Sequence, residues 1–363
     1  MIFIIVTIIL AISFLVNKLQ KVFSVVALAV DAYLMANPPT LHNADYRLYK
    51  LSYNQQMTNF EKGYTYLAKF FFNRGFSYAT FREYLVYITF IILCIAIFRL
   101  TNNPSLVVLG YNIGSFAIEV IQVRNMLMLA LAVLGFSLLR QGKATNNILG
   151  LLVLVVATTF HTLGYFFLLG GLLFLIPWKF LLKGLKIIVY ATIPISIMSL
   201  FLGTKAIQNI FAIFLSITGA RSGLAGDLVS VYDNGISLKS WIIIAIIVLV
   251  MLIPLFFKKT SVQEFFNDTE SKNVLVPSFL GVLSVILTLL SSDYVRLLRD
   301  ASVFVFIIYS KLVDHMTHKR LLILGYVVVI AASIFWLQNF LIYPESGRYI
   351  SYTIGLIPDS VIR

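Results

Sequence analysis

From Met1 to Tyr343 the chain is a succession of apolar runs separated by mostly short polar stretches. A bilayer core about 30 Å thick asks for roughly 20 mainly apolar residues per helix, and fewer where flanking residues snorkel. Cutting the runs at their polar breaks predicts helices over residues 2–16, 22–36, 84–98, 104–118, 125–139, 145–160, 162–177, 187–203, 240–257, 274–292, 300–313 and 321–341. The stretches 104–139 and 145–178 each read as two helices or as one long broken one. The expected fold is all-α, a polytopic integral membrane helical bundle of about 12 transmembrane helices, with 10–12 the range the runs allow. It forms a single polytopic membrane domain over residues 1–363, without an internal repeat or a separate soluble domain.

Composition agrees. Charged residues are 12% of the chain and hydrophobic residues 60%, about half the charge of a soluble protein. Lys18 and Lys21 follow the first apolar run, so that run is expected to be an uncleaved helix with its N-terminus outside. Lys18, Lys21, Arg99, Arg140, Lys143, Lys179, Lys183, Lys186, Lys258, Lys259, Lys272, Lys311, Lys319 and Arg320 then fall in inner loops, half of the 28 basic residues. The C-terminus is expected outside as well. The net charge of +13 reports this topology and contact with anionic head groups, not nucleic acid. A single cysteine, Cys94, excludes an intrachain disulfide and a C-x-x-C site.

Two outer segments stand out. The first, 37–83, opens with Asn37-Pro38-Pro39, and its apolar, aromatic half from Tyr64 to Phe76 reads as an interfacial amphipathic helix. The second, 204–239, carries Arg221, Asp227 and Asp233. The outer turns use arginine where the inner loops use mainly lysine: Arg124, Arg221, Arg296 and Arg299. A planar guanidinium grips phosphate with two prongs, so several at one face could form an anion site; snorkelling, or pairing with Glu119, Asp293 or Asp300, is the plain alternative. His161, at an outer helix junction, is a candidate for proton transfer or a packed, hydrogen-bonded histidine. His42, in the first outer segment, could line a cleft, while His315 and His318 sit among ordinary inner-loop charge. Asp45 and Glu61 are acids of the first outer segment, and Asp31 lies within the second apolar run, as a relay or partnered. No Walker loop, G-x-G-x-x-G, D-x-D, H-E-x-x-H or serine-hydrolase motif appears, so no cofactor and no metal are expected.

In order along the chain, Asp45-Tyr46 with Tyr49, Glu61-Lys62-Gly63-Tyr64, Arg124-Asn125 and Phe160-His161-Thr162 resemble the EpsG branch of the Wzy-type bacterial polysaccharide polymerases. The resemblance spans roughly residues 30–320 and departs from the family pattern at Lys62, Asn125 and Thr162, where proline, glutamine and serine are usual. It implies a membrane glycosyltransferase of the bacterial plasma membrane that joins oligosaccharide repeat units on its outer face. Donor and acceptor would both be undecaprenyl-pyrophosphate-linked oligosaccharides, with a flippase and a chain-length regulator as further partners. In that chemistry the arginines stabilise the pyrophosphate end, Tyr46, Tyr49 and Tyr64 stack on sugars, Glu61 is a further substrate-binding residue, and His161 takes the acceptor proton, with Asp45 the next candidate. Rival readings are an O-antigen ligase, a membrane acyltransferase using His161, and a flippase or other transporter. A flippase would want charge along a path through the membrane, and Asp31 alone offers it.

The topology is directly measurable. Cysteines introduced at Asn54 and Ser222 should react with an impermeant thiol reagent in whole cells, and one at Asn146 should not. Labelling at Asn146 without labelling at Ser222 would overturn the helix count.

Overall fold

A computed structural model describes residues 1–38, 43–140, 142–181, 183–184, 237–253, 271–288, 292–316 and 319–342, with positions 187, 190 and 194. Nearly all of the expected helix 187–203, most of segment 204–239 with Arg221, and His42, His318 and residues 343–363 lie outside them.

Among the described residues every regular element is a helix. They are α1 (Ile2–Val16), α2 (Gln20–Ala36), α3 (Ala44–Asn54), α4 (Lys62–Phe72), α5 (Tyr78–Leu100), α6 (Pro104–Gly114), α7 (Phe116–Glu119), α8 (Val123–Leu138), α9 (Ala144–Thr158), α10 (Gly164–Leu173), α11 (Leu238–Leu252), α12 (Lys272–Thr288), α13 (Val295–His315) and α14 (Arg320–Trp336). A π-helical turn, Leu337–Ile342, continues α14. Two stretches, Tyr78–Leu100 and Arg320–Ile342, each 23 residues, are long and apolar enough to cross a membrane, and several shorter apolar helices surround them. Ile2, Ile5, Ile8 and Ile12 of α1 and Ile88, Ile91 and Ile95 of α5 are exposed. In water such a surface would aggregate, whereas in lipid it is ordinary. The chain is a membrane protein, all-helical among the described residues.

The centre of the bundle is α6, α8 and α13, whose side chains are almost all buried. Gly110 lets α6 and α13 approach: a Cβ there would lie 2.7 Å from the Phe306 ring. Described residues in or beside several of the loops assigned to the inside contact one another at one end. There Asn103 donates to Ser310 O (3.1 Å) and to Asp314 Oδ1 (2.9 Å), Arg320 donates to Phe14 O (2.8 Å), and the Lys272 ammonium donates to Phe174 O and Ile176 O past the end of α10. At the opposite end lie the termini of α2, α7 and α9, the starts of α5, α8 and α13, and all of α3 and α4.

Several boundaries differ from expectation for one reason: charged residues taken as loop markers are packed inside. α5 begins at Tyr78 instead of residue 84, because Arg82 turns inward. Its guanidinium is fully buried and donates twice to Met35 O (3.0 and 2.8 Å) and once to Val120 O (3.0 Å). It thereby satisfies carbonyls left over at the ends of α2 and α7. α13 likewise begins at Val295 instead of residue 300, so Arg296 and Arg299 belong to a helix and not to a turn. The expected helix 104–118 breaks at Ser115 into α6 and α7. The first outer segment holds two short helices in place of one, and the amphipathic α4 ends at Phe72, short of Phe76. Asp31 is fully buried in α2, and the Asn112 amide of α6, oriented with its nitrogen toward α2, donates to Asp31 Oδ2 at 2.8 Å. That contact gives the carboxylate the partner a buried acid requires.

Candidate functional site

The site is assembled from the loop-side helices inward. Asn43 caps α3 by accepting the Tyr46 N–H (2.8 Å) and so sets the helix phase. Asp45 falls in the first turn, where the helix dipole favours an acid. Tyr46, Tyr49 and Tyr53 fall on the buried face. They build an aromatic cluster with α4 and α5. Tyr49 packs on Phe60 (5.1 Å) and Tyr64 (5.9 Å), Tyr46 on Tyr78 (5.1 Å), and Tyr53 on Phe81 (5.3 Å). Edge-to-face and offset pairs of this kind add to the burial itself. Tyr46, Tyr49 and Tyr64 are 7%, 5% and 2% exposed, so their ring faces lie against each other. The rings are thus engaged with one another in this structure, and the Tyr64 hydroxyl is buried as well.

Glu61 stands at the N-cap of α4 without capping it. Its carboxylate spans to two distant segments. Oε2 pairs with the Arg124 guanidinium at the start of α8, and Oε1 accepts the Thr162 N–H in the turn between α9 and α10 (3.3 Å). The α4 N–H groups are served by that turn as well, since Gly63 N donates to Thr159 O at 2.9 Å. A Cβ on Gly63 would come within 2.8 Å of the same carbonyl oxygen, so the contact needs glycine. Arg124 is held over the aromatic cluster, 4.1 Å from the Phe60 centroid, 5.2 Å from Tyr49 and 5.8 Å from Tyr64.

His161 lies in the same turn, half-buried, with its Nδ1 accepting the Leu163 N–H at 3.2 Å. Burial, and after it the positive charge of Arg124, Arg296 and Arg299, pushes its pKa down to about 3. Burial raises the Asp45 carboxyl above the usual aspartate range, against the opposing pull of Arg296, Arg124 and Arg82. Asp45 and His161 thus both feel the charge of Arg124 and Arg296 at this end of the bundle. Arg296 also pairs with Asp293 at 3.3 Å.

Arg299 does not join them as an exposed anion ligand. It is fully buried, paired with Glu119 (2.6 Å) and Asp300 (3.4 Å), and it donates to Gln122 (2.9 Å) and Gln338 (3.1 Å). Asn125, the neighbour of Arg124, completes the network by donating to Glu119 Oε1 (3.0 Å) and to Asp300 (3.1 Å to each oxygen). Gln122, Gln338 and Arg82 went unnoticed in the sequence. An arginine beside Phe81 at the edge of an apolar run was the available signal for Arg82.

The docking of α4 on the α9–α10 turn is testable at one atom. Gly63→Ala should leave the protein inserted at normal level yet cut activity by about tenfold or more, because Glu61 moves with the turn it bridges. Wild-type activity in that variant, measured per copy of protein, would contradict the contact.

The comparisons with known proteins bear on the whole constellation. No curated protein and no solved structure matches the chain. A family model does, over residues 40–354, a span that contains Asp45, Glu61, Arg124 and His161. The chain therefore belongs to the EpsG family, a Wzy-type polysaccharide polymerase family.

Proposed function

We propose that the protein polymerises undecaprenyl-pyrophosphate-linked oligosaccharide repeat units on the outer face of the bacterial plasma membrane, as a metal-independent glycosyltransferase. The observation that carries this reading is the convergence of Arg124, Arg296, Asp45, Glu61 and His161 at one end of a membrane bundle, from five separate segments. Glycosyl transfer from a polyprenyl pyrophosphate breaks the sugar C1–O bond and leaves a pyrophosphate anion. Preorganised guanidinium groups stabilise charge as it develops there, and in a partly buried site they do so strongly. Arg124 and Arg296 are the groups for this task. Glu61 holds Arg124 in place, and Arg299 supports both helix starts from beneath. The acceptor hydroxyl must lose a proton, and Asp45, a carboxylate of raised basicity beside the two arginines, suits that role. The lipid leaving group supplies the driving force, so no nucleotide is needed. The meeting of Arg124, Glu61, Asp45, Arg296 and His161 at one end, with Asp31 partnered by Asn112, favours chemistry at a face over a charged path for a flippase.

Deleting the gene in its host should abolish long polymer while single capped repeat units persist; loss of all surface glycan would indicate a flippase or an earlier step. Arg124→Lys keeps the charge but loses the two-pronged geometry, and should lower the rate by roughly a hundredfold or more, about 2.7–4 kcal/mol. Normal polymer length at normal protein level would reduce Arg124 to a snorkelling residue. Asp45 works as a base only when ionised, and its pKa is raised. The rate should therefore fall, as pH is lowered, at a higher pH than an ordinary aspartate near 3.9 would give. A profile flat down to that range would remove Asp45 as the base.

A further inference from the structure

His161 occupies the turn Thr159–Leu163, and the protein holds this turn from both sides. Glu61 Oε1 accepts the Thr162 N–H at 3.3 Å, and the ring Nδ1 of His161 accepts the Leu163 N–H at 3.2 Å. A backbone N–H is only ever a donor, so the ring nitrogen facing it carries a lone pair and no proton. In a neutral imidazole the proton then sits on Nε2, and the ring has no second lone pair to give. Turning the ring over would set a C–H against the Leu163 N–H and leave that donor unsatisfied. Burial and the positive charge of Arg124 from α8 and of Arg296 and Arg299 from α13 keep the imidazole neutral; Glu61 of α4, the acid of this turn, is already paired with Arg124.

We infer that His161 serves the reaction as a neutral Nε2–H hydrogen-bond donor to the departing pyrophosphate, and not as the base for the acceptor hydroxyl. This rests on the polymerase reading. The acceptor oxygen forms a bond to C1 as the C1–O bond to the pyrophosphate breaks. The bonding pair stays on the pyrophosphate oxygen, where Arg124, Arg296 and the His161 N–H would meet it, and the acceptor proton passes to the Asp45 carboxylate. His161 gives a hydrogen bond and transfers no proton. A neutral donor adds to an arginine pair without bringing a third cation into the space, which is why low basicity suits the place. Pyrophosphate arriving between the arginines offsets their charge, yet the Leu163 N–H still holds Nδ1, so the tautomer persists.

The test uses the full chain in lipid nanodiscs, with farnesyl pyrophosphate as the binding probe and polymer formation in the host as the activity readout. His161→Ala should weaken farnesyl pyrophosphate binding by roughly tenfold or more, as expected for a lost hydrogen bond to a charged group. His161→Gln, whose amide donates but cannot accept a proton at neutral pH, should restore most of that binding. It should also bring activity to within about tenfold of wild type. Probe binding unchanged in Ala, with Gln as inactive as Ala, would overturn the inference and return His161 to the base role, whose loss costs ~10²–10⁴-fold. A wild-type protein that does not bind the probe, together with intact polymer in the deletion strain, would overturn the polymerase reading and this inference with it. Histidine ¹⁵N spectra, assigned by difference with His161→Ala, give a readout independent of turnover. They should show a protonated ε2 and a bare δ1 nitrogen that do not change through the roughly pH 6.5 region of a free histidine. A titration there would contradict the assignment.

Discussion

An arginine half-buried at the end of a membrane bundle has to meet a counter-charge, and Arg124 meets Glu61, 63 residues away in sequence. Neither partner can be removed cheaply, because a lone charge left in that position bears its own desolvation cost. The pair therefore fixes where the start of α4 sits. Glu61 also accepts the Thr162 N–H, and Gly63 donates to Thr159 O. One carboxylate thus ties the loop-side helices, α8 and the α9–α10 turn into a single corner. Asp45 follows because α3 packs on α4 through Tyr49 and Tyr64.

Beneath that corner lies a second polar layer, sealed from solvent. Arg299, Glu119, Asp300, Asn125, Gln122 and Gln338 join α7, α8, α13 and the π-helical turn after α14. Buried polar groups at this density hold a unique arrangement only when they satisfy one another, and a π-turn often marks such a functional region. The division of labour among the arginines follows from depth. Arg82 and Arg299 are fully buried and satisfy protein groups, while Arg124 and Arg296 lie nearer the surface beside Asp45 and His161. Chemically identical side chains become scaffold or site according to what surrounds them.

Much of this was legible in the sequence. The apolar runs of 2–16, 125–139 and 321–341 correspond to α1, α8 and α14, because a run bounded by small polar turns has no other solution in lipid. Asp45, Glu61, Arg124 and His161 could each be picked out as unusual polar residues between runs. Their meeting could not, since Glu61 with Thr162 is a contact across 101 residues. Reading polarity as a loop signal failed at Arg82, Arg296 and Arg299, which lie in helices. The burial of the tyrosines was hidden for a related reason. Aromatic rings in an outer segment look available for sugars until packing against Phe60, Phe81 and one another buries them. The role of His161 depends on which ring nitrogen meets a backbone N–H, and no sequence pattern encodes that.

In the reaction proposed for this protein, a pyrophosphate is released at the corner around Arg124 and Glu61 as a glycosidic bond forms. The most direct measurement is made on the purified protein in liposomes supplied with a lipid-linked oligosaccharide, counting free polyprenyl pyrophosphate against new linkages. One pyrophosphate released per linkage, with lipid-linked chains growing longer, is the expected result. Movement of the lipid-linked oligosaccharide across the bilayer without any linkage formed would contradict it.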